Sequence, residues 1–136
     1  FVAELETGYV VIGDHQYFEG YSLFLSKHHK TELHFLEKEV KDNFLIEMSQ
    51  VAEAVYKAFN VEKLNYELLG NGDSHLHWHL FPRRENDSPV KGPVWWVNRE
   101  EMFSEEVKPS PEKLEEMKTK LYEELRKITP IKRSFK

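Results

Sequence analysis

Apolar residues along this chain recur with two different periods, and the changes of period mark out the elements. Residues 9–12 are aromatic and β-branched and end at Gly13-Asp14, while residues 21–25 follow Glu19-Gly20; both runs predict strands bounded by turn residues. Between residues 31 and 60, Val40, Phe44, Met48, Val51, Val55 and Phe59 recur every three or four positions, which predicts a helix with one apolar stripe. Thr31 and His34 make an imperfect helix start, so a break is expected near residues 37–41. Residues 63–69 read as a third strand entering the loop Gly70-Asn71-Gly72-Asp73. The next run, His75-Leu76-His77-Trp78-His79-Leu80-Phe81, alternates with period two. As a strand it places three imidazoles on one face and Leu76, Trp78 and Leu80 on the other. It is expected to stop at Phe81-Pro82, because proline cannot donate to a ladder. Residues 84–93 read as a loop, and Ser110-Pro111 opens a last helix in which Leu114, Met117, Leu121, Leu125 and Ile128 share a face.

Strand, strand, helix, strand, strand and a helical tail define an α+β fold. An antiparallel sheet is expected, with the long helix packed on one face and a C-terminal helix beside it. The histidines then occupy the face away from the main helix. Residues 1–136 suffice for one domain with one core, its C-terminal loop and helix beginning near residue 84. No apolar run approaches the roughly 18 residues of a membrane span, so no membrane partner is expected. No basic leader precedes the first strand, and export is not expected. The chain opens at Phe1 rather than methionine, so native residues are expected upstream. The absence of cysteine removes disulfides, thiolate metal sites and thiol nucleophiles, and suits a reducing, cytoplasmic setting. A net charge of -5 argues against a long nucleic acid partner, whose affinity rests on many basic contacts. A small anion needs only a local group of donors and is not excluded.

The histidine run admits more than one chemistry. At about 3.3 Å per residue, His75 and His79 lie roughly 13 Å apart in a strand, too far to share one ion through bonds of about 2 Å. Adjacent members can share a metal only with a ligand from elsewhere, which leaves a metal-dependent hydrolase as one alternative. Attack on phosphorus uses the residues more fully. Neutral imidazole is a good nucleophile toward a phosphate, and His77 has a like residue on either side. Its other nitrogen needs a proton, held most simply by a backbone carbonyl or a carboxylate. His75 and His79 can donate to phosphate oxygens and assist the leaving group. The N–H groups of Gly72, Asp73 and Ser74 offer an anion nest. The product of attack is a phosphoramidate on His77, resolved by water. Arg83 faces either a distal phosphate or solvent. Lys27, His28, His29 and Lys30 form a small basic patch, and Trp95 and Trp96 point oppositely if extended.

Asn65-Tyr66-Glu67, Gly70-Asn71 and His75 through Phe81-Pro82-Arg83 closely resemble the histidine triad family, in a bacterial branch similar to diadenosine tetraphosphate hydrolases. The family signature, His-φ-His-φ-His-φ-φ with φ apolar, agrees at every position, and Gly20 to Leu25 with Lys27 and His29 resembles the family's first half. The resemblance spans about residues 8–83. It implies that His77 is the nucleophile, with His75 and His79 assisting at the phosphate and leaving group. It also implies phosphate contacts from Asn65 and the Gly70-Asn71 turn, with residues 14–17, Asp14 among them, near ribose and base; Gly72, Asp73 and Ser74 of the nest, Tyr21 and Arg83 complete the expected substrate contacts. The implied substrate is a dinucleoside polyphosphate or related nucleotide conjugate, cleaved to a nucleoside monophosphate with no obligatory metal or cofactor, by a homodimer. Two positions depart from the pattern. Tyr21 stands where many members carry a fourth histidine; a phenol, with a pKa near 10, hydrogen-bonds but relays protons poorly. Ser74 replaces a frequent proline and either donates to the leaving oxygen or caps the turn. A non-catalytic nucleotide-binding or interaction module is the rival reading that Tyr21 keeps open.

Overall fold

In the computed structural model, which describes residues 1–136, alternate burial builds the sheet. Strands β1 (Ala3–Glu4), β2 (Gly8–Ile12), β3 (Ser22–Ser26), β4 (Lys63–Glu67), β5 (His77–Arg83) and β6 (Arg133–Ser134) pair in the order β4-β5-β3-β2-β1-β6, antiparallel throughout. β2 and β3 bury every second residue, so Val10 and Phe24 face one layer of the molecule while Val11, Leu23 and Leu25 face the other. The two-residue strands at the far edge went unexpected, since so short a run has no period to read.

Helix α1 (Lys38–Ala58) follows a single 3-10 turn at Leu33–Phe35, with the break where the sequence suggested it. Its stripe, with Phe44, Val51 and Val55 fully buried, packs on Phe24, Leu80 and Val10. Phe24 and Phe44 stack with ring centres 5.3 Å apart. A four-residue helix, α2 (Arg99–Met102), precedes the longer α3 (Pro111–Leu125), where the Ser110 hydroxyl accepts from the Lys113 N–H and Pro111 sits in the first turn. Met117, Leu121 and Leu125 close the same core. A smaller cluster, Phe18, Phe81, Val94, Val97 and Met102, lies on the opposite side, where Phe81 shares the face of His77 and His79.

Two expectations about the histidine strand are corrected. The strand does not stop at Pro82 but runs to Arg83, with Pro82 opposite Leu64. The Arg83 carbonyl accepts from Glu62 N on the β4 side, so Pro82 points its nitrogen toward β3, which has already ended opposite Leu80. The missing donor therefore has no partner to lose. At the other end, His75 lies before the strand. Ser26 N still bonds the Leu76 carbonyl at 3.0 Å, but Leu76 N turns to Lys30 O, and the Ser26 carbonyl takes His75 Nε2 instead at 2.6 Å. An imidazole replaces one rung of the ladder. Trp95 and Trp96 are likewise not extended but lie in a 3-10 turn, Val94–Trp96.

Candidate active site

Each histidine of the row has one ring nitrogen held by a protein partner, a backbone carbonyl for His75 and His77 and a hydroxyl for His79. His77 Nδ1 lies 2.6 Å from the His75 carbonyl, which only accepts, so Nδ1 carries the proton. That leaves the lone pair on Nε2, which no protein group occupies. His75 Nε2 donates to Ser26 O, leaving its lone pair on Nδ1. His79 Nδ1 lies 2.6 Å from the Tyr21 hydroxyl. The His77 and His79 rings are neighbours at 4.7 Å, whereas His75 meets the His29 ring at 5.0 Å. The row is thus a pair plus one, not three equivalent rings on a strand.

Aromatic packing surrounds the pair. Tyr21, Phe81 and His79 lie within 9° of parallel, and Trp95 stands edge-on to His79 and Phe81. Burial, with a smaller contribution from the neighbouring His77, lowers the His79 pKa to about 4, so its ring is neutral near pH 7. Burial raises the Tyr21 phenol above its usual range, and the carboxylates of Glu67 and Asp14 add to the effect. Glu67, opposite His79 in the β4–β5 register, is raised by burial too, partly offset by its bond from Trp95 Nε1 and by the charge of Arg83. Sequence patterning gave Glu67 no role of its own, placed Gln16 only within residues 14–17 near ribose and base, and left Trp95 or Trp96 to stack on a base or at a subunit contact; cross-strand register and loop closure bring Glu67, Trp95 and Gln16 here.

Among the other expected substrate contacts, Asn71, Gly72, Asp73 and Ser74 are exposed in the loop leading to His75, and Asp73 Oδ1 accepts from His75 N at 3.1 Å. The N–H groups of Gly72, Asp73 and Ser74 donate to no protein acceptor. Asp14 is exposed beyond β2 and lines a separate recess with Phe1, Lys108 and Lys118. Arg83 is corrected from a phosphate-facing or solvated group. Its guanidinium pairs with both Asp87 oxygens at 2.8 and 3.1 Å and donates to Asn65 Oδ1 and the Gly92 carbonyl. It also lies over the Phe18 ring, so it pins residues 83–92 together and engages the Asn65 side-chain oxygen. Three His, Asp or Glu side chains do not converge anywhere in a geometry that holds a metal ion.

An antiparallel α+β domain with imidazoles of defined tautomer on the sheet face away from its long helix is a histidine triad domain. Residues 2–86 match the family model of the HIT domain, and the chain belongs to that family. Over 91 residues it is 31% identical to adenosine 5'-monophosphoramidase HNT1 of Saccharomyces cerevisiae, a match covering 62% of this chain and 53% of the yeast protein. The chain therefore matches about half the length of that relative. Among solved structures, a histidine triad protein from Bradyrhizobium japonicum has a TM-score of 0.80 at 21% identity, covering 91% of this chain and 88% of that one. One from Marinobacter aquaeolei VT8 has a TM-score of 0.77 at 23% identity, covering 93% and 88%. A zinc-bound family protein from Mycobacterium smegmatis has a TM-score of 0.64 at 17% identity, covering 93% and 83%. At these identities the likeness concerns the fold. No helix is long and apolar enough to cross a membrane.

Proposed function

We propose that the protein is a nucleotidyl hydrolase that cleaves dinucleoside polyphosphates or related nucleotide conjugates through a covalent nucleotidyl-His77 intermediate. One observation carries the reading: the His75 carbonyl holds the proton on His77 Nδ1, so Nε2 presents its lone pair to the open face of the sheet. Water releases the nucleoside monophosphate from that nitrogen. His79 assists at the leaving group, His75 orients His77 through its backbone carbonyl, and the free N–H groups of residues 72–74 receive phosphate. The yeast relative is named for adenosine 5'-monophosphoramidase activity, which supports an adenine nucleotide as the transferred group. Diadenosine tetraphosphate is the first substrate to try, as the sequence resemblance suggested.

The test is His77→Asn. Turnover should fall by at least about a thousandfold while nucleotide affinity stays within about tenfold, read by mass detection of the monophosphate and by equilibrium binding. Near-normal turnover in that variant would sink the nucleophile assignment. The assay is run on chelator-treated protein, because this reading needs no obligatory metal; turnover that returns only with zinc contradicts it. A nucleotide-binding module without turnover is the second reading, favoured by the tyrosine at position 21, and it requires that the wild type never acquires a nucleotidyl adduct. We also propose that two copies pair, since β4 is an outer strand with an unpaired edge and Tyr66 and Leu69 beside it are exposed.

A further inference from the structure

The residue just before β3 narrows the substrate class, an inference that rests on the nucleotidyl-hydrolase reading. Tyr21 Oη has His79 Nδ1 as its hydrogen-bond partner, at 2.6 Å. A phenol hydrogen in a half-buried site needs an acceptor, so the phenol donates and the His79 ring proton sits on Nε2. The phenol is held in place on every side. Tyr21 stacks on Phe81 at 4.3 Å with planes 3° apart. Gly13 leaves it room, since a Cβ there would stand 2.3 Å from a ring carbon. The Gln16 amide nitrogen donates to the Gly13 and Tyr21 carbonyls at 2.8 and 2.9 Å, and its oxygen accepts from Gly20 N at 2.8 Å.

We propose that Tyr21 locks His79 as a neutral hydrogen-bond donor, which confines the site to substrates whose leaving group departs as a weakly basic anion. Phosphoanhydrides meet that condition. The His77 Nε2 lone pair forms the N–P bond, the bond from phosphorus to the leaving phosphate oxygen breaks, and the electron pair stays on that oxygen. His79 Nε2–H hydrogen-bonds the departing oxygen and keeps its proton. Water then attacks phosphorus, the N–P pair returns to His77, and one proton goes to solvent. A phosphoramidate is different, because its amine must be protonated to leave. A neutral imidazole N–H is too weak an acid for that. Drawing the proton through Tyr21 would leave a buried phenolate, which burial first and then the Glu67 and Asp14 carboxylates disfavour. Burial, and then the nearby His77, keep His79 from carrying a second proton of its own.

The experiment compares kcat/KM for diadenosine tetraphosphate and adenosine 5'-phosphoramidate in the wild type and in Tyr21→His, alongside nitrogen NMR of His79 in the wild type and Tyr21→Phe. The wild type should favour the anhydride by about 100-fold or more, the scale of an absent general acid. Tyr21→His, which restores a titratable ring, should narrow that preference by at least about tenfold. The wild-type spectrum should show His79 protonated on Nε2 alone, and Tyr21→Phe, which keeps the stack on Phe81, should mix the tautomers. Comparable rates on both substrates, or a ratio unmoved in folded Tyr21→His, overturn the selection. A proton on His79 Nδ1 in the wild type, or identical spectra with and without the hydroxyl, overturns the lock. A wild type that cleaves neither substrate overturns the hydrolase reading and the selection with it, and the spectra still decide whether Tyr21 sets the tautomer.

Discussion

His79 enters the folded state with its positive charge suppressed, and that has a sign in the pH dependence of stability. Its folded pKa of about 4 lies below the ordinary 6.5, so between those values the unfolded chain binds a proton that the native one refuses. The contribution of neutral His79 is complete above the ordinary value and is lost as pH falls toward the folded one. Urea midpoints should therefore decline between about pH 7 and about pH 5, and His79→Gln should flatten the decline. An unchanged slope in that variant would assign the acid sensitivity to other groups. At this scale the three histidines were legible from alternation, and imidazole chemistry called for a proton acceptor behind His77. The acceptor's identity was not, because it is the carbonyl of a residue that leaves the ladder. Glu67 escaped notice for a related reason: its place opposite His79 depends on pairing between segments whose register no local pattern specifies.

Among the elements, α1 illustrates how a readable stripe hides a less readable task. Its apolar spacing announced the helix and its buried face, yet Glu47 sits on that face, 8% exposed. Its carboxylate accepts from Glu6 N at 3.0 Å, Thr7 N at 2.7 Å and Thr7 Oγ1 at 2.5 Å, closing the turn from β1 to β2 from forty residues away. Three donors satisfy what burial would otherwise penalise. Glu47→Ala should cost about 2–4 kcal/mol in chemical denaturation, since it strands those donors. A loss below about 0.5 kcal/mol would mean that water replaces the carboxylate there. The same partner-dependence explains the end of β5: proline reads as a strand stop only if a neighbour awaits its N–H, and β3 is already gone at that point.

For the whole molecule, the family match ends at residue 86, but the core does not. Met117, Leu121 and Leu125 of α3 are buried with Val2, Val51 and Val55, and β6 pairs with β1 while its flanking residues Lys132 and Phe135 donate to the Glu4 and Val2 carbonyls. The last fifty residues are part of the fold, which the helical spacing of α3 foretold and the two-residue edge strands could not. Pairing of two copies along β4 belongs to this scale as well. Sedimentation equilibrium should give twice the chain mass, and Tyr66→Asp, which puts a charge on the exposed edge, should shift it toward the monomer; a monomeric wild type excludes the pairing. The sheet itself separates two very unequal assemblies, twenty buried residues behind it and five in front. Because the front group is small, it opens at a lower cost than the rest, and amide exchange there should outpace exchange in α1. Gentle warming would then strip the wall from around Phe81 and Tyr21 while the helices still rotate polarised light as before, so that inactivation precedes any visible melting.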